Sequence, residues 1–335
     1  MRMDTQPTNG VLEDFRIEFL DCWRRLPNKG LFFVLLAAWL ALFQFLGNCT
    51  LGFIKSSSLL RWMYEVFQPS PNPDAYDESH ARIIPFLVLG LFWWKRKELL
   101  ALRLRAWTPG LAWVALALVL HIVGYAVQQP RISIVALFTG LYGLMGLAWG
   151  PEWLRSSFFP FFLFGFCVPL GTLALPITFR LRMLVCQLVE GLCHYILAID
   201  IVREGTNLID PTGHYRYDVA PACSGMRSLF ATLALAITYA MLSFKTWWKR
   251  GILMASALPL AVLGNFLRML TIIIAAEIGG QTWGDWVHDG GPGRILSLLP
   301  YIPAFAGLLL LGHWLRETPP APVALPEPAT AAADG

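Results

Sequence analysis

The chain has 335 residues, of which 56% are hydrophobic and only 14% charged, and its mean hydropathy is +0.55. A soluble domain of this length cannot bury that much apolar surface, so the composition excludes a soluble enzyme and points to a polytopic helical membrane protein. The net charge of +4 fits a positive-inside excess and not a nucleic-acid surface, and nucleic acid is excluded as a partner.

Residues 1–30 read as a cytoplasmic N-terminal segment. Within it, Phe15, Phe19, Trp23 and Leu26 recur at helical spacing between charges, the pattern of a helix lying on the membrane surface. From 31 to 315 the chain reads as a membrane-embedded core of about eight transmembrane helices. Apolar runs that approach the ~20 residues needed to cross hydrocarbon fall at 31–54, 83–94, 110–127, 132–149, 156–175, 226–244, 251–276 and 295–314. Basic clusters precede the first run and follow the second (KRKELLALRLR), the fourth (Arg155) and the sixth (KTWWKR). Every second loop is therefore basic, which places both termini in the cytoplasm and makes 55–82, 128–131, 176–225 and 277–294 outward loops.

The long outward stretch has structure of its own. Gln187, Glu190 and His194 form a polar stripe on an otherwise apolar helix, which reads as interfacial or re-entrant. Beyond it, the turn residues Asp210-Pro211-Thr212-Gly213 and the alternation of Tyr215, Tyr217 and Val219 against His214, Arg216 and Asp218 predict a small β-hairpin. The Pro/Ala-rich stretch 316–335 reads as a disordered cytoplasmic tail. The six cysteines follow no metal-ligand spacing, and Cys186 and Cys193, seven residues apart, share one helical face without requiring a bridge.

Three residues stand out chemically. Cys223, in VAPACSGMRSLF, sits at the outward start of the sixth span, where Pro221 and Ser224 favour a helix N-terminus. Unpaired N–H groups there stabilise a thiolate, and those of Gly225 and Met226 can hold an oxyanion, although a lone Cys more often only packs. Arg268 is the one charge in the seventh span, about 25 Å along that helix from Gly251. It either faces a partner or wet cavity or snorkels to the interface, and Asn265 lies one turn earlier on its face. His288 lies in the last outward loop and is suited to proton transfer, although a loop His is most often a solvated residue. Topology derived from Lys and Arg alone puts all three on the outward side at similar depth. A Cys nucleophile, a His acid/base and an oxyanion-neutralising Arg suffice for thiol-based acyl transfer, with no metal or cofactor needed. Arg227 can bind a substrate carboxylate, support the thiolate or anchor the interface. Of the other histidines, His121 and His313 satisfy local hydrogen bonds, His80 lies in a polar loop, and His194 or His214 border the site.

The elements ACSGMRSL, GNFLR and HDGGPG, in this order across roughly residues 80 to 312, resemble the exosortase/archaeosortase family. The resemblance implies an intramembrane cysteine protease/transpeptidase in the bacterial inner membrane, of the bacterial exosortase branch associated with exopolysaccharide. It would cleave C-terminal sorting signals of exported proteins, each a PEP-CTERM-like motif, a helix and a basic cluster. It would pass them through a thioester to an unknown amine acceptor. Carried over by motif, Cys223 is the nucleophile, Arg268 the helix arginine and His288 the third member, with Ser224, Gly225, Arg227 and Asn265 in support. The alternatives are a transporter or flippase, or a scaffold, for envelope polysaccharide assembly, in which Cys223 only packs.

Overall fold

The computed structural model describes residues 10–47, 56–68, 78–218, 226–299 and 301–316. The structure is mostly helical, and the first helix, α1 (Val11–Arg25), is the amphipathic element expected of the N-terminal segment. At Asn28, in the left-handed conformation with φ 53°, the chain turns by 93° into the apolar α2 (Lys29–Phe45). The bend sets α1 nearly perpendicular to α2. It is locked from below: Asn28 Nδ2 donates to Ala148 O at 3.1 Å, and the Trp149 indole donates to Pro27 O at 2.9 Å.

The short α3 (Leu59–Val66) follows, then a 3₁₀ turn Ser79–Arg82 that runs into α4 (Ile84–Trp94) and α5 (Arg96–Leu100). Helices α6 (Gly110–Ala126) and α7 (Pro130–Trp149) form a tight antiparallel hairpin, with Pro130 pre-set for the first turn of α7. Small residues let the two backbones approach. A Cβ on Gly110 would stand 2.6 Å from Leu147 N, and one on Gly143 would stand 2.8 Å from Trp113 Cβ. His121 is fully accounted for between Ser133 Oγ (3.2 Å) and Leu46 O (3.1 Å), a structural histidine as expected.

The predicted fifth span at 156–175 does not form as one helix. Helix α8 (Pro151–Phe162) gives way to a 3₁₀ turn Leu163–Cys167, and the chain is extended at Val168. Pro160 lies inside α8 near its end, and Pro169 and Gly171, the latter at φ 48°, fall where the apolar run that hydropathy alone reads as continuous leaves helical geometry. Helix α9 (Leu175–Leu192), ending in a π turn Cys193–Leu197, then leads to three short strands. They are β1 (Val202–Glu204), β2 (Asn207–Ile209) and β3 (Arg216–Asp218), antiparallel in the order β1-β2-β3. The expected hairpin is thus the β2–β3 pair of a sheet with one further strand.

Helix α10 (Met226–Ser243) precedes α11 (Trp247–His288), in which Gly280 (φ 70°, ψ −172°) is not helical. A 3₁₀ turn Pro292–Leu298 and α12 (Tyr301–Trp314) close the chain, so the eighth apolar run starts later than hydropathy indicates. By length and apolarity α7 and α11 can cross a membrane, and α1 with α2 adds a third if the bent pair is counted as one. The other apolar helices, α4 with its 3₁₀ turn, α6, α10 from Leu229 and α12, have 10–17 residues each. The count of eight spans is therefore not established by helix length.

Candidate functional site

The site is built on α11. Its apolar face carries Ala257, Ala261, Gly264, Met269, Ile272, Ile273 and Ala276 into the interior, the three- and four-residue spacing of a buried helical stripe. Asn265 lies on this buried side at 2% exposure, and its Nδ2 has no hydrogen-bond partner among the described residues. It borders a narrow void between α9, α10 and α11, lined also by Leu181, Val185 and Leu229. A buried amide donor without a partner costs about 1–3 kcal/mol, so its retention there calls for a functional explanation.

Arg268, half-buried one turn further on, has a hydrogen-bond partner. Its Nη2 donates to the backbone carbonyl of His288 at 3.2 Å. The two residues are twenty apart in sequence, which in an unbroken helix is about 30 Å. Gly280 removes that distance. Its φ of 70° with ψ of −172° is a conformation essentially reserved for glycine, and it folds the final stretch, 281–288, back along the helix that carries Arg268. The bond also satisfies a carbonyl in the last turn of α11, one of those a helix end leaves open.

His288 is therefore helical, at the end of α11, and not in an irregular loop. Its side chain is 32% exposed, and Nδ1 lies 3.4 Å from Asp289 Oδ1, longer than an ordinary hydrogen bond. Asp289 is thus a loose orienter of the ring in this state.

The sheet is fastened to the same stretch of α11, a set of residues that sequence reasoning missed. Tyr215 OH donates to Glu277 Oε2 at 3.0 Å and Tyr217 OH to Gln281 O at 3.1 Å. The Arg216 amide donates to Gln281 Oε1 at 2.9 Å, and Gln281 Nε2 in turn donates to Asp285 Oδ1 at 2.8 Å. Tyr217 fits only because residue 284 is glycine: a Cβ there would lie 1.9 Å from its hydroxyl oxygen. Burial pushes both phenols well above the ordinary tyrosine range, reinforced at Tyr215 by Glu277 and at Tyr217 by Asp285. At the far end of β3, the Thr212 hydroxyl and the His214 amide hold the Asp210 carboxyl below its usual value and fix the turn. The alternation of Tyr215 and Tyr217 was legible in the sequence, and both are buried. Their partners were hidden in a stretch read as loop.

Cys223, Ser224 and Gly225 lie outside the described residues, and Arg227 is on α10 with its side chain outside them. Of the predicted site, the structure brings Arg268 and His288 together, with Asn265 one turn below. Elsewhere, His80 stacks on Phe230 at 5.2 Å, His313 is exposed on α12, and His194 and His214 lie 3.8 and 3.7 Å from Asp200 and Asp210. Cys186 and Cys193 are both buried thiols with no disulfide between them, and Cys186 Sγ lies 3.6 Å from Thr206 O.

An apolar helical bundle, with an arginine deep in its longest helix and a small sheet pinned beside it, defines an integral membrane protein with a polar site at one end. The profile of the transmembrane exosortases matches residues 74–312, most of the chain and nearly the stretch over which the motifs resemble that family. The chain belongs to the transmembrane exosortase family. No curated protein and no solved structure matches it.

Proposed function

We propose that the protein is an intramembrane cysteine transpeptidase, in which Cys223 is the nucleophile and Arg268 and His288 complete the site. The observation that carries this reading is the bond from Arg268 to the His288 carbonyl, which joins two of the three chemically apt residues across twenty positions of sequence. Membership of the exosortase family supports a sorting signal on exported proteins as substrate. The segment with Cys223, residues 219–225, joins β3, which is fastened to α11, to α10, which packs beside α11.

In the proposed reaction the Cys223 thiolate attacks the scissile carbonyl carbon. The electron pair moves to the oxygen, and Arg268 neutralises the oxyanion. Collapse breaks the C–N bond as His288, protonated, gives its proton to the leaving amine. The resulting thioester is opened by an acceptor amine, or by water if proteolysis is the outcome, with His288 taking the attacking group's proton. Asn265 and Arg227 support the site, and the backbone amides around Ser224 and Gly225 supply further oxyanion donors. The proposed setting is the bacterial inner membrane, crossed by about eight apolar segments, with both termini cytoplasmic and the site outward.

The test is co-expression with an exported reporter ending in a Pro-Glu-Pro motif, an apolar helix and a basic cluster, read as a size shift. Cys223→Ala is expected to leave the reporter unprocessed, a loss of ~10³-fold or more, with the protein still present in the membrane. Full processing by Cys223→Ala would overturn the enzyme reading and leave a transporter or scaffold in its place.

A further inference from the structure

Between α9 with its π turn and the middle of α11 runs an open groove of about 570 Å³. Gln187, Gly191 and Tyr195 line one wall and Pro259, Val262 and Phe266 the other, and apart from Gln187 and the Tyr195 hydroxyl the lining is apolar. The α11 residues recur at three- and four-residue spacing, so they form one stripe about 10 Å long. Its last member, Phe266, is two residues short of Arg268.

The groove and the buried void beside Asn265 share a wall. Val262 lines both, and Asn265, one turn further along α11, borders the void with an amide donor that has no partner among the described residues. A chain that leaves the groove for Arg268 therefore crosses α11 at the level of Asn265. Few groups could satisfy that donor. Every other described residue lining the void is apolar, so a water would gain one hydrogen bond where buried waters make about three. A hydrocarbon chain would fill the groove but carries no acceptor. A peptide helix supplies both parts: an apolar flank for the groove and, where the helix gives way to extended chain, a backbone carbonyl that hydrocarbon would leave unsatisfied.

We propose that the groove seats the apolar helix of a substrate sorting signal, and that Asn265 Nδ2 donates to a backbone carbonyl where that helix passes into the extended chain reaching Arg268. The proposal rests on the transpeptidase reading for its substrate, and on the groove and the unpartnered amide for its location. Asn265 binds the chain beside the scissile bond and moves no proton.

The test is photo-crosslinking in membranes, with the full-length protein carrying a benzophenone side chain in place of Leu188 or Leu263, both exposed and lining the groove. The Cys223→Ala background retains the Pro-Glu-Pro reporter uncleaved. Adducts to the reporter's apolar helix are expected at least ~10-fold above those from Val119, also exposed but on α6. A Cβ on Gly191 would meet nothing within 4 Å, so a bulky side chain there fits the protein and fills the groove. Gly191→Phe is thus expected to lower adduct yield and, with Cys223 present, processing by ~10-fold each at unchanged thermal stability. Asn265→Leu keeps the volume and removes the unsatisfied amide. It should melt no lower than its parent and lose ~10-fold in both readouts, the equivalent of one hydrogen bond. A lower melting temperature with unchanged adducts per folded molecule would mark Asn265 as structural and overturn its role. Adducts to lipid alone, or reporter adducts no more frequent than from Val119, would overturn the groove whether or not the wild type processes the reporter. Groove adducts with no processing by the wild type would keep the groove and reject the transpeptidase reading, so the two fail separately.

Discussion

The α2–α6–α7 cluster and the α9–sheet–α11 cluster solve the same problem, holding helices together where lipid already solvates their apolar faces, by different means. In the first, steric fit dominates. The Trp39 ring occupies the space beside Gly140, its indole donating to Leu137 O at 2.9 Å, and glycines at 110, 124 and 143 let α6 and α7 nearly touch. In the second, a row of polar contacts, from Tyr215, Arg216 and Tyr217 to Glu277, Gln281 and Asp285, pins a sheet to a helix that has itself been bent. Steric fit secures the frame. Directional hydrogen bonds set position, which a site needs and a frame does not. The first cluster should therefore fail in stability and the second in activity.

The largest separation of the two is expected at Gly280. Alanine there would have to adopt a backbone conformation costing on the order of 1–3 kcal/mol, or let α11 straighten and carry His288 away from Arg268. A misplacement of even 1 Å in a catalytic group costs about 10²-fold, so Gly280→Ala is expected to lower processing of a sorting-signal reporter by at least that factor. Where α11 straightens instead of bearing that strain, the cost falls on the fold-back alone, and the melting temperature of the bundle should drop less than in Gly140→Ala. A variant that lost thermal stability in proportion to activity would erase the distinction between the two regions.

Gly140→Ala is the converse and the next largest. Its Cβ would stand 2.0 Å from Trp39 Cζ2, and that ring is buried, 6% exposed, and hydrogen-bonded, so it cannot move aside cheaply. Overpacking of this kind costs typically about 1–3 kcal/mol. Thermal unfolding in detergent should shift down while processing per folded molecule is unchanged. Trp39→Leu in the Gly140→Ala background should recover part of the loss, because the two substitutions share one space and will not add. Strict additivity would show that the clash is relieved elsewhere.

The two regions also differ in how much of them a reader of the sequence can recover. Hydropathy finds α2, α6 and α7 because steric fit between apolar helices leaves a continuous apolar run. It fails over 156–175, where one apolar run is divided among a helix, a 3₁₀ turn and an extended bend before Pro169. In the second region the residues with uncommon chemistry, Arg268 and His288, are visible as types, and the structure brings them into contact. Their bond is not visible, because it depends on a left-handed φ at Gly280 inside a stretch read as an outward loop. The Gly279-Gly280 pair was the available signal, since adjacent glycines in a polar-flanked apolar helix mark a place where the backbone can turn. Asn265 falls one turn from Arg268 by spacing, but the burial of its Nδ2 without a partner among the described residues is a fact of packing that no spacing reports.

The smallest effect concerns pH and acts on the polar cluster alone. Tyr215 and Tyr217 have their folded-state phenols raised, by burial first and then by Glu277 and Asp285, whereas an exposed tyrosine titrates near pH ~10. A group raised in the folded state stabilises that state fully below its unfolded value, and the contribution is lost as pH rises beyond it. The docking of β3 on α11 should thus be constant at neutral pH and weaken above pH ~10. In the α6–α7 hairpin Tyr142 donates to a backbone carbonyl, Leu154 O at 2.8 Å, and not to a carboxylate, so the hairpin should respond less. Hydrogen exchange measured as a function of pH, after correction for the intrinsic rate, is expected to show residues 202–218 losing protection while 110–149 keep more of theirs. In Tyr217→Phe the ring still fits against Gly284 without its hydroxyl. Protection should be lower at neutral pH by the equivalent of one hydrogen bond, about 1 kcal/mol, with a weaker alkaline response. Loss of protection in both regions at one pH would mean that the sheet unfolds only with the bundle, and that its fastening to α11 is no more local than the packing of α7.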